Sequence, residues 1–465
     1  MIGGISSWLS IYMKCFPNHE LITFTIGARE ADKGKFACKI PDNMKHVEEV
    51  FLDSPSKNRG SGLTRCLIKS DSQKQVLINH FSGRNSDWPA IFEFAASVKA
   101  DRIIDFFNST DFFEIVQAVY EENYSCAPYN HFLWTIRSMY INQFYLLSIN
   151  APEADIYHSV LAGFPGMLAS KASYTTGKPF VLTEHGIYTR EREEEIIKSA
   201  YIKGYVKELW VKYFRAMSSC AYSFASKIIT QFERNRDIQI ELGADRKKTL
   251  IIPNGLNVED YNFSYDERLY GDGVVVGSIA RVVPIKDIIT MVRSFEKSKK
   301  SVPEIKLVIV GPTEEDREYH LYVREYVRSR DIKDIIFTGK VDYNIYLQSL
   351  YSMDIFLLTS ISEGQPISIL EAMSCSKPVV STDVGSCSEL ILGNGDGIGE
   401  AGIVAPVMDT DAIANAIISL AKDKSLRKKM GEAGRKRVSE FYTIKYMGDS
   451  YQKIYDEVAG STAAV

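Results

Sequence analysis

Glu363 and Glu371 stand eight residues apart in the stretch TSISEGQPISILEAM, residues 359–373. The apolar run Ile355–Leu358 comes just before it and reads as a buried strand; a helical pattern follows. Glu363 therefore falls on a loop at a strand's carboxyl end, and Glu371 one to two turns into the next helix. Open α/β sheets bind nucleotides at that edge. Amides at a helix start can hold a phosphate, and a carboxylate inside the helix can accept from ribose hydroxyls. The plainer alternatives are a capping carboxylate for Glu363 and a solvated helix carboxylate for Glu371. Against the second, Glu371 is embedded in Ile369, Leu370, Ala372 and Met373, where a lone charge is costly without a partner.

Three other clusters could do chemistry. In GSIARVVPIKD, residues 277–287, Arg281 and Lys286 lie on a second strand-to-helix loop. Two cations there can neutralise a diphosphate that gains charge as a bond breaks. Alone they would be ordinary surface charges; in the same domain as the glutamate pair they read as a site. In TEHGIYTRERE, residues 183–193, His185 follows a buried strand and precedes Gly186. A lone histidine is more often structural, but the dense polar cluster after a buried strand favours a site. In GGISSW, residues 3–8, Gly3 and Gly4 precede an amphipathic helix and would let backbone approach a ligand. That last pattern is weak by itself.

These residues need two α/β domains to hold them. In the C-terminal half, strands at Val274–Ile279, Ile305–Val310, Ile335–Thr338, Ile355–Leu358 and Pro378–Ser381 alternate with helical patterns, which implies βαβ units in a parallel sheet. Likewise the N-terminal half carries strands at Leu21–Ile26, His46–Leu52, Ala154–Val160, Phe180–Thr183, Lys227–Thr230 and Thr249–Ile252. Its aromatic-rich helical segments 88–106, 112–124 and 128–148 read as core packing. A non-periodic segment rich in Asn, Asp, Gly and Tyr, 253–273, reads as a hinge. The expected domains are 1–265, 266–445 and a terminal helix and tail, 446–465. Two such domains would face a cleft, a favoured place for ligands.

Composition narrows the class. The 465 residues carry a net charge of −4, which argues against a general nucleic-acid or anionic-membrane binder. Seven scattered cysteines form no CxxC pair and read as reduced thiols. No charge-free stretch reaches the roughly 18 apolar residues of a membrane helix, and no signal peptide is visible. The expected location is the cytoplasm, with peripheral placement at the inner face of the membrane left open.

The Arg281/Lys286 pair, the E-x7-E pair and Pro253-Asn254-Gly255 together resemble the retaining GT-B glycosyltransferases of family 4. The segments GGISSW, TEHGIYTRERE, RVVPIKD, GPTEED and SEGQPISILEAMSCSKPVVSTDVGSCSELI look like the PelF-type branch. The resemblance implies two doubly wound Rossmann-like domains and hexose transfer, with retention, from a UDP-sugar, UDP-glucose, to a Pel-type exopolysaccharide. It implies no cofactor and no metal. Arg281 and Lys286 would hold the diphosphate and Glu371 the ribose. Glu363, with the Gly364, Gln365, Pro366 and Ile367 loop, would contact the hexose and phosphate. His185 would meet the sugar, and Gly3 and Gly4 would approach the donor. Partners would be the donor, a polysaccharide acceptor and membrane synthase subunits. The resemblance also implies a strand ahead of Gly3, central in its sheet, so a truncated or misassigned start is expected. Another GT-B activity, such as a storage-glucan synthase or a sugar-nucleotide epimerase, remains open at this stage. So does a non-catalytic nucleotide-sugar-binding subunit.

Overall fold

The computed structural model describes residues 4–36, 40–57, 67–265 and 267–462. The chain divides into two compact units. Unit 1 holds Met1–Thr230, Asn235–Ile251 and Tyr451–Val465; unit 2 holds Gln231–Arg234 and Ile252–Ser450. The last helix, Ile444–Thr462, thus starts in unit 2 and ends in unit 1.

Unit 1 carries two parallel sheets among its described residues. Strands β1 (Leu21–Gly27) and β2 (Met44–Phe51) form a pair. Strands β3 (Tyr157–Ser159), β4 (Phe180–Thr183), β5 (Lys227–Thr230) and β6 (Thr249–Ile251) form a sheet in chain order. The strand expected ahead of Gly3 would lie before the described residues. Helices Trp88–Ser97, Ile103–Phe107, Thr110–Asn123 and Tyr129–Leu147 supply about half of the core. Phe92, Phe94, Phe106, Phe107, Phe112, Phe132 and Phe144 are each at most 1% exposed. Their rings meet at angles well away from parallel, as in Phe94–Phe106 (5.0 Å, 68°), which suits the ring quadrupoles. Most aromatic residues of these helices are core, as the sequence suggested; Phe113 and Trp134 are exposed.

Unit 2 is a doubly wound domain. Its strands are β7 (Val275–Ile279), β8 (Lys306–Val310), β9 (Ile335–Gly339), β10 (Ile355–Leu358), β11 (Val379–Thr382) and β12 (Gly402–Ala405). They lie in the order β12-β11-β10-β7-β8-β9, all parallel. The winding reverses between β7 and β10, which makes that pair the topological switch point. Alternate residues of each strand feed opposite faces: Val276, Leu307, Ile309, Ile355 and Leu357 join one core, Val275, Val308, Val310, Phe356 and Leu358 the other. Burial on both faces explains why these strands read as unbroken apolar runs.

Strand β12 and the helices Cys387–Leu392, Thr410–Lys422 and Lys424–Phe441 lie where the sequence showed only a loop or no clear element. Strand β12 has four residues and follows a segment, 393–400, with four glycines, so local pattern could not separate it from loop. Segment 252–273 is no free connector. The amide of Leu256 donates to the Tyr442 carbonyl (2.9 Å) and that of Ile444 to the Leu256 carbonyl (3.1 Å), all inside unit 2.

A buried arginine ties the end of this domain together. Arg437 is 1% exposed. It grips both oxygens of Asp396 (2.6 and 3.1 Å) and donates to the carbonyls of Leu390, Ile391 and Gly399. The guanidinium holds the Asp396 carboxyl below its ordinary range. Arg437→Ala leaves three carbonyls without this donor and the Asp396 carboxylate with only the Ile398 amide, and should destabilise unit 2 by about 3–5 kcal/mol. Urea unfolding tests this; a loss under about 1 kcal/mol would show that water replaces the guanidinium.

Among the described residues, no helix is long and apolar enough to cross a membrane.

Candidate functional site

The sheet order brings the two charged loops side by side. The loop after β7 carries Arg281 and Lys286, and the loop after β10 carries Glu363. Backbone contacts lace them together. Thr359 Oγ1 donates to the carbonyls of Lys286 and Asp287 (both 3.1 Å), and the Ile361 amide donates to the Ile285 carbonyl (2.9 Å). Asp287 adopts a left-handed φ of 46° and caps the next helix through Oδ1, which accepts from the Thr290 amide at 3.2 Å. This turn ends the loop sharply after Lys286.

The Lys286 ammonium donates to Glu363 Oε1, and the Ser360 hydroxyl donates to the same oxygen at 2.5 Å. The two charged side chains are only 18% and 12% exposed. A lysine has three N–H donors; one on Glu363 leaves two for a phosphate oxygen. Arg281 is half exposed and pairs with Glu315 at 2.9 Å. Its backbone is held by the loop after β8, where Val282 N donates to the Pro312 carbonyl (3.0 Å). Gly311 has a φ of 149°, and a Cβ there would sit 2.2 Å from the Ala280 carbonyl oxygen, so only glycine allows this approach.

Gly364, Gln365 and Pro366 lead into the helix Ile367–Ser374, whose first-turn amides have no partner within the helix. The Gly364 carbonyl accepts from the Ser386 amide at 3.0 Å, and Gln365 Oε1 accepts from the Asn254 amide at 2.6 Å. This fixes the loop from both sides. Glu371 lies in the second turn. Its Oε1 accepts from the Tyr261 phenol at 2.8 Å and its Oε2 from the Tyr346 phenol. Burial raises the Glu371 carboxyl above its ordinary range, while the two phenols pull it back down.

His185 belongs to unit 1. The helix that starts at Gly4 places Trp8 edge-on to its imidazole, with ring centroids 4.4 Å apart, so the GGISSW and TEHGIYTRERE segments meet. Gly3 lies outside the described residues. Burial pushes His185 down to about 4, so its ring is neutral near pH 7. The fully buried Glu184 anchors the turn. It accepts from the Tyr188 amide (3.0 Å), the Tyr222 phenol (2.8 Å) and Gln239 (2.9 Å), and burial raises its carboxyl.

Sequence reasoning left out Ser360, Glu315, Tyr261, Tyr346, Trp8 and Glu184. Glu184, Glu315 and Trp8 stand inside motifs already picked out. Tyr261 and Tyr346 had no local signal, because each reaches Glu371 from another element.

Residues 262–437 match the family described as glycosyl transferases group 1, and residues 1–247, just over half of the chain, match the domain of unknown function DUF3492. The chain belongs to the DUF3492 family. The chain is 30% identical, over 201 residues, to N-acetyl-alpha-D-glucosaminyl L-malate synthase of Bacillus anthracis. That match takes in 43% of this chain and 48% of the relative, so it spans about half of the relative's length. It is 24% identical over 306 residues to the capsular polysaccharide biosynthesis glycosyltransferase CapM of Staphylococcus aureus, covering 63% of this chain and 74% of that one. Among solved structures it is similar to Anabaena Alr3699/HepE in complex with UDP. The TM-score is 0.55 and the identity 19%, with 65% of this chain and 79% of that chain covered. The fold is GT-B, as its α/β units with parallel sheets indicate.

Proposed function

We propose that the protein transfers a hexose from UDP-glucose to a growing Pel-type exopolysaccharide, with retention at the anomeric carbon. The observation that carries this reading is the Lys286–Glu363 pair at the switch point, with Glu371 eight residues further along the same loop and helix. UDP is bound by the similar Anabaena protein, and CapM acts in capsular polysaccharide biosynthesis, which favours a UDP-sugar and a polysaccharide product.

In this reading Arg281 and Lys286 hold the diphosphate, and the Gly364, Gln365 and Ile367 amides add partial positive charge from a helix start. Glu371 takes the ribose hydroxyls. Breaking the anomeric C–O bond produces an oxocarbenium-like sugar and a departing diphosphate, so stabilising the leaving group is the dominant need. The acceptor hydroxyl attacks from the leaving-group side and passes its proton to the departing phosphate oxygen. Glu363 orients Lys286 and contacts the hexose; it is not assigned as a nucleophile. His185 offers a neutral imidazole to sugar hydroxyls, and Gly3 and Gly4 serve the donor from unit 1. Membrane synthase subunits are the proposed partners, at the inner face of the membrane.

Calorimetric titration with UDP, UDP-glucose and GDP-mannose tests the reading, with Lys286→Ala as control. UDP and UDP-glucose should bind and GDP-mannose should not, with binding lost in the variant. No binding to any of the three overturns the donor site. Glu363→Gln should slow transfer about 10–100-fold, the cost of losing one charge-assisted hydrogen bond. Full turnover in that variant would remove Glu363 from the mechanism.

A further inference from the structure

Glu371 is half-buried in an otherwise apolar helix, yet both of its oxygens are engaged. The two donors come from separate places in unit 2. Tyr261 closes the short helical turn Val258–Tyr261 in the segment ahead of β7, and Tyr346 lies in the helix Tyr343–Ser352 ahead of β10. Tyr346 is backed by Tyr343, stacked at 6.1 Å and 12°. Burial and the adjacent carboxylate raise both phenols well above their ordinary range, so each remains a donor.

An ionised carboxylate offers about four acceptor sites. Two phenols use two of them. The remainder matches the two vicinal hydroxyls of a ribose, neither more nor fewer. A long, rotatable glutamate would otherwise sample several rotamers, and its charge would be costly among Ile369, Leu370 and Met373.

We propose that Tyr261 and Tyr346 are positioning residues for the donor's ribose: their phenols hold Glu371 in one rotamer, leaving two acceptor sites for the 2′- and 3′-hydroxyls of a nucleoside diphosphate. This rests on the assignment of Glu371 to the ribose made above. It adds a prediction that assignment lacks: nucleotide selection at the ribose depends on two tyrosines that need not touch the ligand.

Binding of UDP and 2′-deoxy-UDP to the full chain, its Tyr261→Phe and Tyr346→Phe variants and the double variant tests it by calorimetry at pH 7.5 and pH 5.5. Phenylalanine keeps the packing of each ring, and the single variants stand in if the double variant unfolds. The wild-type protein should prefer UDP over 2′-deoxy-UDP by about tenfold, the worth of one hydrogen bond to a charged group. Each variant should lose about 5–10-fold in UDP affinity, on the same basis, while 2′-deoxy-UDP, which keeps only its 3′-hydroxyl for Glu371, should lose less, about 2–3-fold. The ratio between the two ligands therefore narrows. Each phenol lowers the Glu371 carboxyl, so its removal should also make UDP binding weaken at a higher pH on acidification. The other groups facing Glu371 are Tyr343 and Cys375, with Lys377 and Arg435 acting on that thiol; the variants leave all of them in place.

If the variants lose affinity for both ligands equally, or keep the wild-type ratio, the tyrosines do not position Glu371 for the ribose and the proposal falls alone. Should the wild-type protein bind UDP and 2′-deoxy-UDP equally, or bind neither, the assignment of Glu371 falls and this inference with it.

Discussion

Lys286→Ala should reduce sugar transfer by about 10²–10³-fold in kcat/KM, the usual cost of removing one preorganised charge from a developing anion. The effect is large because the ammonium is 18% exposed and already held by Glu363, so little water screens it. Arg281 provides the contrast. It is half exposed and paired with Glu315, so Arg281→Ala should cost only about tenfold. The Lys286→Ala/Glu363→Gln double variant should be about as slow as Lys286→Ala alone, since both changes break one unit. Initial rates of UDP release at matched donor concentration test all three. A Lys286→Ala enzyme within about tenfold of wild type would mean that the diphosphate charge is met elsewhere.

Acid should unfold unit 1 well before it protonates ordinary carboxylates. Three histidines are held there in neutral form, His80 buried and His158 and His185 half-buried. Burial pushes His80 down to about 4, His158 to about 3 and His185 to about 4. Each ring of the first two is bonded on both nitrogens: His80 with Ser86 and Gln143, His158 with Thr183 on one side and Tyr12 and Tyr455 on the other. Below about pH 6.5 the unfolded chain takes up protons on all three, while the folded unit takes up none until about pH 4. Stability is therefore complete above pH 6.5 and falls with pH through that window. By pH 5 the loss is about 2 kcal/mol per histidine, or about 6 kcal/mol together. That is comparable with the whole stability of a domain. Glu184 and Glu191, whose carboxyls burial raises, work in the opposite direction but are two groups against three. Unit 2 holds a single histidine, His320, so its transition should shift much less. Urea unfolding at pH 7 and pH 5 checks this; a change under about 1 kcal/mol in unit 1 would mean that the histidines find water or charge partners on protonation.

How much of this was legible depended on range along the chain. The E-x7-E pair, the Arg281 and Lys286 loop and the His185 turn each lie inside one strand–loop–helix unit. Hydrophobic runs mark the strand, and the charged residues at its carboxyl end follow by position alone. For the same reason strands β4, β5, β7 and β10 could be placed from the sequence within a residue of their ends, whereas β12, four residues after a glycine-rich loop, could not.

By itself, then, the sequence determined the α/β class, the buried strands and the identity of the charged loops, because those are properties of short segments. Only the tertiary structure decided which loops meet. A parallel sheet joins strands by long crossovers, so β10 lies beside β7 although β8 and β9 intervene in sequence. That neighbourhood makes Lys286 the partner of Glu363 across 77 residues, and it brings Tyr261 and Tyr346 to Glu371 from 110 and 25 residues away. No local pattern encodes such pairs, because their free energy comes from the sheet and cores that bring them together.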